Sequence, residues 1–398
     1  MTAPAGAAPA GAAPARGSTD RPVAIVSFAQ ADNVRREENH NEVEMLLPVV
    51  TEVLQRVGCT KSDMGFVCSG SADYLVGGPF SFVGALDAVG AWPPMRESHV
   101  EMDGAFALFE AWTMLKSGDC DTALVYSFGR SSQCQLDRVL ALQLDPYYMA
   151  PLWPDPIALA ALQAREMLDS GKLTDEDLAQ VAARSRAAAA GNPKVQAAPA
   201  ANSTEEMLEE DFIVSPLRRH AVPPVTDGAA AVVLAAGDRA RELCSRPAWI
   251  TGLDHRIETH SLGARDLTES PTTRLAADGA GLGGGRAAQV DVAELHAPFA
   301  HQELILCAAL GIDPNGGRVS VNPSGGALAA NALMVAGLIR IGEAAQRIMD
   351  GSARTALAHA TSGPCLQQNL ICALADEPGT PGAPGPVAQG ESVARSGS

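Results

Sequence analysis

The sequence predicts an α/β protein built from two similar halves. Three observations carry that expectation. Short apolar runs alternate with segments of helical spacing, the pattern of strands buried by helices on both faces. Hydrophobic residues make up 46% of the chain and aromatics only 4%, so the apolar mass is Ala, Val and Leu, which suits close helix–sheet packing. One helix–loop–strand unit also occurs twice. The first copy is a helix over 104–116, the loop Ser117-Gly118-Asp119-Cys120-Asp121 and a strand opening Thr122-Ala123-Leu124. The second is a helix over 326–349, the loop Asp350-Gly351-Ser352-Ala353-Arg354 and a strand opening Thr355-Ala356-Leu357. Two buried helices that face each other place a catalytic site between their N-termini, where unsatisfied N–H groups hold an oxyanion.

The other elements follow in order. Residues 22–28 form a buried strand, and 43–57 have apolar residues at helical spacing up to the stop at Gly58. Residues 64–68 are a short strand before the loop Ser69-Gly70-Ser71. Residues 229–235 form a continuous apolar run that reads as a central strand, and 290–295 form another strand.

The ends are different. Residues 1–20 are an Ala/Pro/Gly tract, and the Gly/Pro/Ser bias returns over 377–398, so both read as disordered tails. The body between them divides into an N-terminal half over 21–245 and a C-terminal half over 246–376. The stretches 199–203 and 279–285 are too short to separate independent domains.

Charge and composition exclude several functions. Lys plus Arg is 29 and Asp plus Glu is 46, for a net charge of −17, which argues against a phosphate-tracking nucleic-acid protein. No uncharged apolar stretch is long enough to span a membrane. The N-terminus lacks a secretory pattern, so the expected location is cytoplasmic. The eight cysteines form no Cys-x-x-Cys pair and read as reduced thiols, with no metal site. The Gly-rich run 281–286 lacks both the Walker lysine and the Rossmann acid, and reads as a loop. Ser69-Gly70-Ser71 is not a nucleophile elbow.

Four segments, in order along the body, resemble the thiolase superfamily, specifically its sterol carrier protein-x branch. They are Val225-Thr226-Asp227-Gly228-Ala229-Ala230-Ala231, then Asp291-Val292-Ala293-Glu294-Leu295-His296-Ala297-Pro298-Phe299 (the family's His-Asp-Cys-Phe region), Val321-Asn322-Pro323-Ser324-Gly325-Gly326-Ala327-Leu328, and Cys365-Leu366-Gln367-Gln368-Asn369. The resemblance implies a thiolase fold, five-layered αβαβα with two pseudo-symmetric halves. It also implies a dimer and a CoA thioester substrate, with CoA part of the substrate and no separate cofactor.

The departures narrow the chemistry. The family's nucleophilic cysteine falls on Glu101, its second cysteine on Pro298, and the His of its Gly-His-Pro motif nearest Asn331. An acyl-transferring thiolase needs a thiolate, and a carboxylate gives only an anhydride. What remains resembles the actinobacterial lipid-transfer-protein aldolases, thiolase-fold proteins without the cysteine pair that cleave side chains of steroid CoA thioesters. They work with a separate small protein carrying a zinc ribbon and an oligonucleotide-binding-type barrel. Retro-aldol cleavage of a 3-hydroxyacyl-CoA needs a base for the hydroxyl proton and donors for the enolate, and no covalent acyl-enzyme.

On that resemblance His296 is the principal acid/base, where the family's aldolases use a tyrosine, with a pKa expected nearer neutrality. Glu101 assists or orients it, and Asn331 holds the enolate. Asp103, Asn322, Ser324, Gly325, Gly326 and Cys365 are candidates for substrate binding. Each has a plainer reading. Glu101 and Asp103 suit a helix N-terminus. The segment 322–326 has the residues of a turn and cap. Asn331 fits polar filling within the helix pattern, and Cys365 an inert thiol. His301 reads as structural or partner-facing, and His220 as a surface loop residue. The alternatives to a lyase are an acyltransferase acting through Cys365 and a non-catalytic subunit of a heteromeric complex.

Overall fold

The computed structural model describes residues 21–379 except Ala91, Ala197, Ala200 and Ala201. The expected tails, 1–20 and all but three residues of 377–398, lie outside the described residues.

Ten strands form one sheet. The N-terminal half supplies β1 (Val23–Gln30), β2 (Phe66–Gly70), β3 (Glu97–Val100), β4 (Thr122–Gly129) and β5 (Gly228–Ala236). The C-terminal half supplies β6 (Ala248–Ile257), β7 (Val292–Glu294), β8 (Ser320–Val321), β9 (Thr355–Ser362) and β10 (Gln368–Ala375). The spatial order is β8-β7-β9-β10-β6-β1-β5-β4-β2-β3. Read outward from the centre, the two halves have the same order. In each, four strands run the same way and one, β5 or β10, runs against them. The halves join where Val23–Ile25 pairs antiparallel with Ala248–Ile250.

A register shift sharpens the symmetry. β1 skips Val26 against β5, and β6 skips Thr251 against β10. Both are the fourth residue of equivalent strands. A bulge adds a residue and increases local twist, so each half-sheet turns away from the junction at the same point.

Alternation along the strands separates the cores. Val23, Ile25 and Phe28 of β1 face a central core, while Ala24, Val26 and Ala29 face an outer one. The central core takes the inner faces of both halves and two helices, Gly104–Ser117 and Ala336–Met349. One outer core lies under helices such as Glu42–Gln55, and the other under Asp175–Ala189 and Ala300–Leu310. This gives the expected sequence of helices, half-sheet, helices, half-sheet, helices.

The expected single helix over 326–349 is a correction. It is a short helix Gly326–Ala329, a two-residue strand Asn331–Ala332 paired with Val225–Thr226, and then the helix Ala336–Met349. Met334 breaks the helix with φ 71°. Apolar periodicity cannot register that break, because the segment 330–335 is apolar at every position but Asn331. Asn331 is therefore on an extended segment, outside any helix.

Candidate active site

His296 follows β7, Asn322 follows β8, and Thr361 lies one residue before the end of β9. These are the carboxyl ends of three parallel strands of the C-terminal half, where open α/β sheets bind ligands. Glu101 follows β3 in the other half. A surface hollow of about 490 Å³ lies at the opposite ends of β2 and β4, lined by Ser62, Arg96, Asp119 and Arg239, and holds no candidate residue. Chemistry therefore locates the site.

His296 and Asn331 come together. The imidazole is buried, and its Nε2 lies 3.3 Å from Asn331 Oδ1. The Thr361 N–H donates to Nδ1 at 3.4 Å. A backbone N–H can only donate, so Nδ1 is the unprotonated nitrogen and Nε2 carries the proton toward Asn331. Burial, with the Arg340 guanidinium nearby, lowers His296 to about 4, and the Asn331 bond only partly offsets this. The expected near-neutral pKa is corrected accordingly: the ring is neutral throughout the physiological range.

Asp103 has a different role from the one expected. Its buried carboxylate accepts N–H bonds from Ala105 at the start of one central helix (2.8 Å) and from Gly337 (2.9 Å) and Leu338 (3.0 Å) at the start of the other. The two helix N-termini do meet, as the repeat implies. The donors expected to hold a substrate oxyanion are instead occupied by the protein's own carboxylate. A Cβ on Gly337 would stand 2.6 Å from Asp103 Oδ1, so glycine is needed for this approach. Asp103 is a joint between the halves, and its assignment to substrate binding is corrected on that ground.

The segment 322–326 is also engaged within the protein. Asn322 accepts the Leu295 N–H at 2.6 Å and donates to Glu303 at 2.6 Å, leaving its amide committed to the chain around His296. Ser324 donates its hydroxyl to Glu294 at 2.7 Å, and its N–H bonds the same carboxylate. Gly325 has φ 101°, and a Cβ there would stand 2.8 Å from Ala189 Cβ. Gly326 has φ 67° and abuts Asn322. These four residues build the loop that leads to Asn331, and the polar side chains of Asn322 and Ser324 face protein partners.

Glu101 is not joined to His296. Its side chain accepts the Asp73 N–H at 2.6 Å and meets His99 at 3.3 Å, and it is half exposed. The expectation that it orients His296 is corrected: its partners lie on the neighbouring loop and strand. Glu101→Gln keeps the acceptor for Asp73, so we expect less than a tenfold change in kcat for the reaction proposed below; a steady-state comparison with wild type checks this.

Cys365 is buried with Sγ 3.5 Å from the Leu159 carbonyl, and burial raises its thiol to about 11. Such a group is a thiol and a poor nucleophile at neutral pH. We expect native protein to resist iodoacetamide at Cys365 and urea-unfolded protein to be labelled there, as peptide mass mapping would read. His301, expected to be structural or partner-facing, is buried and bonded to Gln163 at 3.2 Å, which leaves the structural role. His220, expected on the surface, is buried beside Glu210.

Sequence reasoning does not single out Arg340, Glu294, Thr361 or His359. Arg340 pairs with Glu294 at 2.9 Å, both almost wholly buried, and bonds Ser324 Oγ at 2.5 Å. The available signal was a lone cation in the run Leu338-Ile339-Arg340-Ile341, which must find a partner if that face is buried. His359 bonds Asn369 at 2.9 Å and, like His301, is lowered by burial to about 3.

Three of the buried imidazoles, those of His296, His301 and His359, make stability depend on pH. Their folded values of about 4, 3 and 3 lie below the ordinary 6.5. The unfolded chain therefore binds more protons in this window. Stability is fully present above about pH 6.5 and declines as pH falls toward the folded values, by up to about 1.4 kcal/mol per pH unit for each ring. Urea midpoints should be lower at pH 5 than at pH 7; equal midpoints would contradict the neutral burial of these rings.

Comparison with known proteins bears on the fold. No family model matches the chain. An acetyl-CoA acetyltransferase of Methanothermobacter thermautotrophicus is 29% identical over 42% of this chain and 48% of its own length, so that match spans about half of the relative. An acetyl-CoA acetyltransferase of Methanocaldococcus jannaschii is 25% identical over 81% of this chain and 88% of its own. Among solved structures, the Ltp2-ChsH2(DUF35) aldolase superposes with TM-score 0.74 at 21% identity, covering 89% of this chain and 98% of that one. Human mitochondrial 3-ketoacyl-CoA thiolase superposes with TM-score 0.72 at 15% identity, covering 90% and 100%. With the mirrored strand order, the paired central helices and these likenesses over most of its length, the chain has the thiolase fold.

Proposed function

We propose that the chain is a lyase that cleaves 3-hydroxyacyl-CoA thioesters by retro-aldol chemistry, on a steroid or similarly bulky side chain. The observation that carries this reading is the neutral His296–Asn331 pair at the carboxyl ends of the strands, in a protein with Glu101 at the family's nucleophile position and Cys365 held as a buried thiol. The likeness to a solved aldolase of the same fold supports it.

The chemistry asks for two proton movements. The 3-hydroxyl loses its proton as the C2–C3 bond breaks and a ketone forms; the electron pair of that bond becomes the thioester enolate, and C2 then gains a proton. A neutral imidazole has one nitrogen to accept and one to donate, so His296 can serve both. Its long contacts to Thr361 and Asn331, 3.4 and 3.3 Å, leave it open to a substrate. Asn331, whose amide N–H groups are donors, would hold the enolate oxygen. Because His296 titrates near 4, we expect the cleavage rate to stay level from pH 8 to about pH 5.5 and to fall below that as the ring protonates. A pH–rate profile with its acid midpoint near 6.5 would contradict this.

The partner in this reading is a separate zinc-ribbon and barrel protein of the kind the aldolase resemblance implies, with a second copy of the chain as the other arrangement. Two features fit an interface. β3 ends the sheet with one edge unpaired among the described residues, and Tyr74, Phe80, Trp92, Tyr147 and Tyr148 are all at least 68% exposed. The test is a product assay. The chain, alone and with the protein encoded beside it, is mixed with a branched 3-hydroxyacyl-CoA, and mass spectrometry follows the ketone and the shortened acyl-CoA. Both products support a lyase. Their absence from both mixtures, with the fold intact and several acyl chains tried, supports a non-catalytic subunit, a reading favoured by the occupied helix N-termini at Asp103. A covalent acyl group on Cys365 would support the acyltransferase named in the relatives.

A further inference from the structure

Every segment that carries the His296–Asn331 pair meets one buried cation. Glu294 closes β7 two residues before His296. Ser324 lies in the loop that opens the short helix leading to Asn331. Arg340 is on the first turns of the helix Ala336–Met349, whose N-terminus is fixed by Asp103 of the other half. The Arg340 Nη1 bonds Glu294 Oε2 at 2.9 Å and Ser324 Oγ at 2.5 Å, and Ser324 closes the triangle on Glu294 through its own hydroxyl and N–H. Arg340, Glu294 and Ser324 are at most 3% exposed.

We propose that Arg340 is a positioning residue for the site, a buried clamp that holds β7, the 322–326 loop and the second central helix in the one arrangement that brings His296 to Asn331. It touches neither ring nor amide and acts through Glu294 and Ser324.

Charge accompanies geometry. Arg340 is the charged group that disfavours the protonated form of His296, and His296 in turn disfavours protonation of His359. Arg340 acts on Asp103 and Glu294, and Glu343 and Arg347 of the same helix also act on Glu294. Glu343, partly buried, is held by Gln30 at 2.6 Å and Asn192 at 3.1 Å. A guanidinium suits this place because its rigid planar fork holds Nη1 within reach of both Glu294 Oε2 and Ser324 Oγ, whereas a lysine ammonium sits on a flexible stem.

The inference rests on the reading that His296 is the acid/base, and its test is chosen to stand apart from that reading. Imidazole nitrogen NMR reports the His296 tautomer and titration midpoint whether or not any substrate is cleaved. Three full-length variants are compared with wild type. Arg340→Met with Glu294→Gln removes both buried charges without leaving one unpaired. Arg340→Lys keeps the charge and loses the fork. Ser324→Ala removes the shared hydroxyl and leaves the ion pair, so it serves if the double variant does not fold. For the folded double variant we expect the Nε2-protonated tautomer to mix with the other, and the His296 midpoint to rise by roughly one pH unit or more. In Arg340→Lys and Ser324→Ala we expect mixed tautomers with a smaller change in midpoint. Where cleavage is measurable, kcat should fall about 10- to 100-fold in the double variant with KM within about threefold. Wild-type tautomer and midpoint in folded Ser324→Ala and Arg340→Lys would overturn the proposal. So would a change in KM alone. Absence of cleavage by wild type, with the NMR changes as expected, would overturn the lyase reading and leave the positioning role standing.

Discussion

His296→Ala should lower turnover of a 3-hydroxyacyl-CoA by roughly 10²–10⁴-fold, the usual loss for an acid/base group. Its pair is built for that role. The ring is neutral, its tautomer is set by the Thr361 N–H, and Asn331 faces the protonated nitrogen. KM should change less than kcat, because the proton movements belong to the transition state. Asn331→Ala should give a smaller loss, about 10- to 100-fold, since it removes a donor to the enolate and one partner of the ring. Steady-state kinetics on purified variants check both. A loss below tenfold for His296→Ala would remove it from the chemistry.

The second large effect is on stability. Asp103→Ala leaves three buried N–H groups, on both central helices, without their acceptor. Each orphaned donor costs about 1–3 kcal/mol, so the variant should lose about 3–5 kcal/mol of unfolding free energy, allowing for some relaxation. Asp103→Asn keeps one carbonyl oxygen for Ala105 and Leu338 and turns an NH₂ toward the Gly337 N–H. Its loss should fall between that of wild type and alanine. Urea unfolding followed by circular dichroism reads both. Near-wild-type stability for Asp103→Ala would show that the helix N-termini find other acceptors, and would return Asp103 to the list of substrate-facing groups.

Much of the fold is legible because it rests on local pattern. β1, β4 and β5 are runs of apolar residues with every position buried, and the sequence places them to within two residues at most ends. The repeat is legible because its two strands both open Thr-Ala-Leu after a Gly-containing loop. The break at 330–335 is not, since it depends on Asn331 pairing with Val225, more than 100 residues away, and on a left-handed Met334. The bulges at Val26 and Thr251 are equally silent, because they are properties of register between strands.

The candidate site is legible in part for the same reason. His296 and Asn331 are 35 positions apart, and motif comparison brought both forward; the structure joins them. Asp103 is a substrate-binding candidate by resemblance and a helix N-terminal acid on the plainer reading; the structure fits the plainer one, with a second helix added from the other half. Glu101 was brought forward by alignment to a cysteine, but a half-exposed carboxylate takes whatever N–H is near, here that of Asp73. Arg340 stayed hidden because a single cation within an apolar helix face carries no motif. Only its burial beside Glu294 gives it meaning.

The central claim is carbon–carbon cleavage without acyl transfer, and the most direct measurement is the dependence of product formation on free CoA. The chain, with its partner where one is required, is given a branched 3-hydroxyacyl-CoA in buffer stripped of CoA, and the ketone is followed by mass spectrometry with and without added CoA. Retro-aldol cleavage gives equal rates in both, with the shortened acyl-CoA retaining the original CoA. Cleavage that appears only when CoA is added would mean thiolysis through an acyl-enzyme, and would contradict it.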